Sequence, residues 1–237
     1  MALLLGQASR SFLELLRDPF DYAAQLRFAE AVSRTDFMRA MHARMVQGIP
    51  REEQDHLRAL TDAPLDKERL RQAPPRSFGH QYVQFLDEHR LDPESAIKHH
   101  PPLIPLFDEM WILRRFIKVH DMHHVLAGFL PDVPGEMGLL VFDLLNFNEP
   151  YGVIGVLSYP LVVRRYGQPV EIAREMWRGF RLSRQLENLF RFPYEELYDE
   201  DIDDVRRLVG CRGARFEGRV TGPASARSPR GRGWAAA

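Results

Sequence analysis

Apolar residues recur with helical spacing along most of this chain, and that periodicity restricts the fold more than any other feature. Residues 21–32 show it clearly, since Leu26, Ala29 and Val32 lie three residues apart. Strand-like alternation and hairpin dipeptides are absent from the sequence. We therefore expect an all-α fold. The expected helices are 21–32, 35–46, 51–60, 78–89, 107–127, 136–145, 150–163, 169–186 and 201–209.

Length and charge divide the chain into a folded body and a tail. The 237 residues suit one domain or a small pair, and 45% of them are hydrophobic, which is enough for a substantial core. Residues 212–237 carry six arginines and one acid and lose the apolar periodicity, so we expect a disordered basic tail. We expect residues 1–211 to form a single multi-helix domain. That body carries about −6 charges, which argues against nucleic acid as the main partner.

Cysteine usage and hydropathy restrict the compartment. Cys211 is the only cysteine, so no intramolecular disulfide can form, and this fits a reducing environment. The first residues lack the basic start and long apolar run of a secretory signal. No segment reaches the ~18 uninterrupted apolar residues of a membrane span. The nearest, residues 151–163, is interrupted by Pro160.

The central predicted helix carries a group of metal-ligand side chains. At about 100° per residue, His120 and His124 lie about 40° apart on one helix face, where two imidazoles can bind one ion. Asp121 lies at the edge of the same face. Glu136 begins the next predicted helix after a short turn, and an antiparallel neighbour would bring it back across that face. We therefore predict a metal site formed by His120, Asp121, His124 and Glu136.

The chemistry of these side chains suits several ions. Two imidazoles with carboxylates bind Zn²⁺, Fe²⁺ or Mn²⁺. An ion with open positions can polarise a carboxylate or a carbonyl, or activate water. The spacing is not that of zinc proteases, in which Glu follows the first His directly. Ordinary helix packing is the alternative explanation for any single histidine, but it accounts less well for two at this spacing with an adjacent acid.

The remaining histidines and two arginines carry weaker expectations. His123 lies on the other edge of the face and is expected to be a core residue or a neighbour of the ligands. His99 and His100 are expected on a surface loop, and His80 has no partner spacing. Arg114 and Arg115 could bind a carboxylate, although surface or salt-bridge roles are at least as good an explanation.

Taken together, His120-Asp121-x-x-His124, eleven residues and Glu136 resemble the signature of the coenzyme Q biosynthesis protein 4 family. Two earlier blocks, residues 77–87 and 90–94, resemble the family as well. The resemblance covers roughly residues 18–210. One departure is Ala96, where the family often has an arginine after its Pro-acid turn, so a substrate-anchoring role at that position is in doubt.

This resemblance implies a helical protein that binds a divalent metal ion through the four predicted ligands. Zn²⁺ is the expected ion, with Fe²⁺, Mn²⁺ and Mg²⁺ as alternatives. The resemblance further implies a carbon–carbon lyase that removes the C1 carboxylate of a polyprenylated hydroxybenzoate, with oxidation at that carbon. The alternative is a non-catalytic scaffold that binds a prenyl lipid and organises a quinone-biosynthesis complex. A weaker third option is a metal-dependent hydrolase of prenyl phosphates.

The resemblance also implies partners and a location. We expect a prenylated aromatic substrate, other quinone-biosynthesis proteins and peripheral membrane contact; a homodimer is also compatible. The membrane would be the cytoplasmic one in a bacterium, or the matrix side of the inner membrane in a mitochondrion. A polyprenyl tail needs a long apolar surface, and residues 137–145 and 151–163 are the candidates for a lipid groove. A solidly packed structure without a cavity near Glu136 would contradict that groove.

Overall fold

The computed structural model describes residues 2–18, 20–33, 35–93 and 111–211. Over these residues the protein is all-α, which confirms the predicted fold class. The only β-type contact within the described ranges is one bridge between Ser77 and Asp201. The predicted loop around His99 and His100, and the predicted tail at 212–237, lie outside the described residues.

Eleven α-helices and two short 3-10 helices are described, and their bounds follow the chain order. The helices before the undescribed segment are α1 (Ala2–Arg17), α2 (Tyr22–Val32), α3 (Asp36–Met45), α4 (Arg51–Asp62), α5 (Lys67–Arg71) and α6 (Phe78–His89). After it come α7 (Trp111–Ala127), α8 (Val133–Phe147), α9 (Gly152–Tyr166), α10 (Pro169–Ser183), the 3-10 turns Leu189–Arg191 and Tyr194–Leu197, and α11 (Ile202–Leu208).

The helix starts follow local capping chemistry. Side chains of Asp21, Thr35 and Ser77 each accept a hydrogen bond from the backbone N–H three residues later, at the starts of α2, α3 and α6. Asp132 does the same for α8, and Pro134 fits the first turn of that helix. This is why α8 begins at Val133, whereas the sequence pattern placed residues 131–135 in a turn.

Among the other helices, the predicted ends agree with the structure or differ from it by a few residues. The bounds of α6 match the prediction, while α10 ends at Ser183 instead of Leu186 and α9 extends to Tyr166 instead of Val163. Two described helices, α1 and α5, were not predicted. The short α5 is held by Asp66, whose side chain accepts from the N–H of Arg69.

Helix α7 lies at the centre and is buried over most of its length. Its buried residues Val119, Met122 and Val125 share the main core with side chains of α6, α8, α11 and both 3-10 turns. Buried cations attach α7 to other elements: Lys118 donates to the carbonyls of Leu60 and Ala63, each at 2.7 Å. The position of α7 is therefore fixed by charge-assisted hydrogen bonds as well as by packing.

Close helix packing fixes α8. Gly138 of α8 and Gly179 of α10 face each other, and a Cβ built on Gly179 would lie 2.1 Å from the carbonyl oxygen of Gly138. On another side of α8, Gly152 and Gly155 of α9 allow close approach to Leu140. Helix α8 therefore lies in close backbone contact with two neighbours, and its own side chains are held in a defined position relative to α7.

Candidate metal centre

The turn between α7 and α8 brings the predicted ligands together. Helix α7 ends at Ala127, and the next residue, Gly128, has a φ of +71°, a conformation that favours glycine. The N–H groups of Gly128 and Phe129 both donate to the carbonyl of His124, which closes the last turn. The chain then reverses within residues 129–132, so α8 returns past the histidine face of α7.

Three of the four predicted ligands meet at one point. Nε2 of His120 lies 3.5 Å from Oε2 of Glu136, and Nε2 of His124 lies 3.3 Å from Oε1 of the same carboxylate. One ligand atom from each of these three residues falls within 4.8 Å of the others. All three side chains are almost completely buried.

The donor set and spacing fit a divalent metal ion. Two ligand atoms bound at about 2.05 Å to a tetrahedral Zn²⁺ lie about 3.3 Å apart, close to the observed separations. In addition, Nε2 of His124 is buried and has no hydrogen-bond partner among the described residues. A buried ring nitrogen without a partner costs free energy, and metal coordination would use its lone pair. His120, His124 and Glu136 would hold such an ion.

Hydrogen bonds at the other ring nitrogens determine which nitrogen faces the carboxylate. Nδ1 of His124 lies 3.1 Å from the carbonyl oxygen of Phe129, and that oxygen can only accept. Nδ1 of His120 lies 3.3 Å from Oδ2 of Asp143. Each Nδ1 therefore donates, and each Nε2 is the ring nitrogen that faces Glu136.

Asp121 lies beside this group but is not one of the three. It is buried, and it interacts electrostatically with Tyr82 and His89 of α6. It also lines the same cavity as His120 and Glu136. Its role as a fourth metal ligand remains a prediction.

An apolar cavity of about 160 Å³ adjoins the polar group. His120, Asp121 and Glu136 are among its polar lining residues, with Gln25 and Tyr151, and the rest of its lining comes mainly from apolar side chains of five helices. That lining includes Leu15 of α1, Leu26 and Ala29 of α2, Phe116 and Ile117 of α7, Leu140 of α8 and Ile154 of α9. A cavity therefore exists near Glu136, as the predicted groove requires.

Two buried acids near the site, Asp143 and Glu149, were not predicted from the sequence. Asp143 is fully buried in α8, and Glu149 follows the end of that helix. Burial pushes the pKa of Asp143 upward, but hydrogen bonds from His120 and His123 outweigh it and leave the pKa below its usual value. Burial raises the pKa of Glu149 to about 8, although the backbone N–H groups of Tyr151 and Gly152 donate to its carboxylate. The sequence did contain a signal for Asp143: it lies seven residues after Glu136, about two helical turns along the same face.

The structure also tests the expectations for His123, Arg114 and Arg115. His123 is fully buried, its Nδ1 lies 3.1 Å from Oδ1 of Asp143, and burial lowers its pKa, so the prediction of a buried neighbour is confirmed. Arg114 pairs with Asp62, and Arg115 pairs with Glu195, so their salt-bridge role is the one observed.

Together, the fold and the site describe a protein that is all-helical over its described residues, with a buried His₂Glu group beside an apolar cavity. The family model described as coenzyme Q (ubiquinone) biosynthesis protein Coq4 matches residues 2–214. The chain therefore belongs to the Coq4 family, as the resemblance of its motifs predicted, and this links it to ubiquinone biosynthesis.

Individual relatives agree with that assignment. The mitochondrial ubiquinone biosynthesis protein COQ4 of Scheffersomyces stipitis is 24% identical over 89% of this chain and 64% of its own length. The protein of the same name from Phaeosphaeria nodorum is 26% identical over 87% of this chain and 70% of its own length. For the Debaryomyces hansenii protein the matched share is 46% of its length, so the chain spans about half to two thirds of several curated relatives.

A solved structure supports the fold independently. The crystal structure of a Nostoc punctiforme PCC 73102 protein attributed to ubiquinone biosynthesis aligns with a TM-score of 0.64. The alignment covers 87% of this chain and 98% of that one at 20% sequence identity. At this identity the likeness concerns the fold alone.

Proposed function

We propose that this protein catalyses oxidative decarboxylation at C1 of a polyprenylated hydroxybenzoate in quinone biosynthesis. One observation carries the proposal: His120 and Glu136 of the three-residue group line a mostly apolar cavity. A substrate with a carboxylated ring and a prenyl tail has the same polarity, with one charged end and one long apolar end. Family membership supports a quinone precursor as that substrate.

The chain's own residues have defined tasks in this reaction. His120, His124 and Glu136 would hold a divalent ion, for which Zn²⁺ is the first candidate. When bound, the ion supplies Lewis acidity that stabilises negative charge as carbon dioxide leaves. The apolar lining around Phe116 and Leu140 excludes water and positions the tail. Because C1 loses carbon dioxide and gains a hydroxyl group, the step is a two-electron oxidation and consumes an oxidant such as O₂.

Variants at the ligands test the enzyme directly. His124→Ala and Glu136→Gln should lose bound metal and release of labelled carbon dioxide from a ring-carboxylate substrate, because each removes one of three ligands. His56→Ala is the matched control, since His56 is a half-exposed histidine that pairs with Glu196 at the surface. Circular dichroism should show unchanged helix content in all three. Turnover by a metal-free variant would contradict the proposal.

A non-catalytic scaffold is the second candidate, and the same apolar cavity favours it, since prenyl-lipid binding requires no chemistry. It predicts that prenyl lipid co-purifies with the protein and that other quinone-biosynthesis proteins are captured, while no product forms from the carboxylated precursor. Mass spectrometry of lipid extracted from the purified protein, combined with the carbon dioxide assay, separates the two functions. We also propose that the protein is compatible with a homodimer and acts at the cytoplasmic membrane of a bacterium or at the matrix side of a mitochondrial inner membrane.

We also propose peripheral membrane contact through α9 and α10. No helix among the described residues is long and apolar enough to cross a bilayer. However, α9 exposes Val153, Val156, Leu157 and Leu161 at helical spacing, while its opposite face packs inward and includes the cavity residue Gly155. A prenylated substrate leaving a membrane at this surface would reach the cavity past a single helix.

The outward face of α10 has the composition of an interfacial helix. Trp177 is 61% exposed and stacks on Phe180 with ring centroids 5.1 Å apart. Arg174 and Arg181 are also exposed, and with Trp177 they fall within about 60° of the helix circumference. Aromatic side chains among arginines match an anionic lipid surface, because rings enter the headgroup region while guanidinium groups pair with phosphate.

A further inference from the structure

Helix α8 presents two carboxylates to α7, and they contact different atoms of its histidines. Glu136 and Asp143 are seven residues apart, which places them within about 20° on one face of the helix. Glu136 faces Nε2 of His120 and His124. Asp143 faces Nδ1 of His120 at 3.3 Å and Nδ1 of His123 at 3.1 Å.

A fully buried carboxylate in so apolar a helix requires a physical reason. Met137, Leu139 and Phe142 surround Asp143 in the sequence and are all completely buried. Removing a carboxylate from water is unfavourable unless hydrogen bonds replace its hydration. Among the described residues, the hydrogen bonds of Asp143 come from two imidazole rings. A leucine at this position would leave both Nδ1–H groups buried without an acceptor.

The two imidazoles that face Glu136 are fixed by different means. Backbone geometry holds His124, because the carbonyl of Phe129 accepts its Nδ1–H. His120 depends on a side chain from another helix. His123 in turn donates to the second oxygen of that side chain, and the rings of Phe147 and Tyr194 pack around His123 at 5.6 and 5.8 Å. Both carboxylate oxygens of Asp143 therefore accept a hydrogen bond, one from His120 and one from His123.

We infer that Asp143 is a positioning residue: it fixes the Nδ1–H tautomer and ring orientation of His120, and His123 holds the carboxylate in place for that task. A metal-binding histidine commonly donates its second ring N–H to a carboxylate, which increases the basicity of the coordinating nitrogen. This inference rests on the metal site of the proposed function and is independent of the decarboxylation.

Metal affinity provides the first test. Asp143→Asn should weaken Zn²⁺ binding by about 10–100-fold, measured by competition with a chromophoric chelator, because one acceptor and the charge are lost. Glu149→Gln is the matched control. Glu149 is an equally buried carboxylate close by, but it accepts from the backbone of Tyr151 and Gly152 instead of a histidine. Its variant should bind Zn²⁺ as the unaltered protein does.

Histidine tautomers provide a readout that a purely structural role would not change. In metal-free protein with ¹⁵N-labelled histidine, long-range NMR correlations should show His120 protonated on Nδ1. The signal is assigned by its loss in His120→Gln. In Asp143→Asn the same ring should show a mixture of tautomers, while His124 keeps its own because its acceptor is backbone.

A further variant keeps the test decisive if Asp143→Asn fails to fold. His123→Phe preserves an aromatic ring in a pocket of rings and removes one hydrogen bond to Asp143. It should weaken Zn²⁺ binding in the same direction, by less. Wild-type affinity in Asp143→Asn, or a His120 ring without a proton on Nδ1 in the unaltered metal-free protein, would overturn the inference. Metal-loaded protein that releases no carbon dioxide would overturn the proposed decarboxylation alone.

Discussion

Buried histidines in this protein differ in their partners, and the difference determines what each one can do. His120, His123 and His124 each have a hydrogen-bond acceptor at Nδ1, which fixes their tautomers. His42 of α3 is also buried, but its Nδ1 has no hydrogen-bond partner among the described residues, and burial lowers its pKa to about 4. The first three belong to the site or contact its acids, while for His42 we expect an effect on stability.

The pKa of His42 leads to a prediction about acid stability. Between pH 6.5 and 4 the unfolded chain takes up a proton at this side chain and the folded protein does not. The free energy of unfolding should therefore fall as the pH drops through this window, by about 3 kcal/mol from this residue. His42→Met removes that contribution, and urea unfolding at several pH values measures it.

The matched control for this experiment is Met45→Leu, a buried change in the same helix that removes no titrating group. Its stability should follow the pH dependence of the unaltered protein. Parallel curves for His42→Met and the unaltered protein between pH 6.5 and 4 would show that His42 is not responsible.

At the scale of helices, close backbone contact between α8 and α10 positions the carboxylates of the site. Gly138 lies two residues after Glu136, and Gly179 of α10 packs directly on it. A side chain larger than hydrogen at Gly179 would meet the carbonyl oxygen of Gly138, a backbone atom that cannot rotate away. Glu136 would then move with α8.

Gly179→Ala should therefore lower the free energy of unfolding by at least about 2 kcal/mol, since overpacking forces the helices apart. Zn²⁺ affinity should fall as well, because Glu136 shifts relative to His124. The control is Gly6→Ala in α1, where an added Cβ meets nothing within 4 Å. Gly6→Ala should raise stability by about 0.5–1 kcal/mol. Urea unfolding and chelator competition measure both effects, and an unchanged Gly179→Ala protein would contradict this account of the packing.

Element boundaries show which parts of the fold the sequence could predict. Helix α6 was predicted to the residue because Ser77 caps it and its apolar positions repeat regularly. The start of α8 was missed, because a Pro and a Gly in the first turn also suit a loop, whereas the hydrogen bond that the N–H of Gly135 donates to the side chain of Asp132 favours the helix. Helix α5 has five residues, too few for a periodic pattern to appear.

At the scale of the whole molecule, the exposed faces of α9 and α10 predict binding to anionic vesicles. Trp177→Ser combined with Leu157→Ser should reduce co-sedimentation with phosphatidylserine-containing vesicles, since both side chains would lose their apolar insertion. Phe37→Ser on α3 is the matched control, because Phe37 is a large exposed hydrophobic residue on a different helix. Binding should also weaken with salt, as arginine–phosphate pairing is screened.

The vesicle experiment also distinguishes membrane contact from contact with a second copy of the chain at the exposed faces of α9 and α10. Equal binding by the double variant and the Phe37→Ser variant would contradict the proposed contact. A change in sedimentation coefficient for the double variant, without a change in vesicle binding, would instead assign the surface to a second copy of the chain.

Sequence alone determined the helical class, the pairing of His120 with His124 and the family, because periodicity and ligand spacing are local properties of the chain. The tertiary structure decided which side chains contact His120 and His124. It brought Glu136 to both Nε2 atoms and placed Asp143 behind His120 and His123. It also closed a cavity against them from helices far apart in the chain. Such contacts depend on the glycine-mediated approach of α8 to its neighbours, a distance between backbones that no residue pattern encodes by itself.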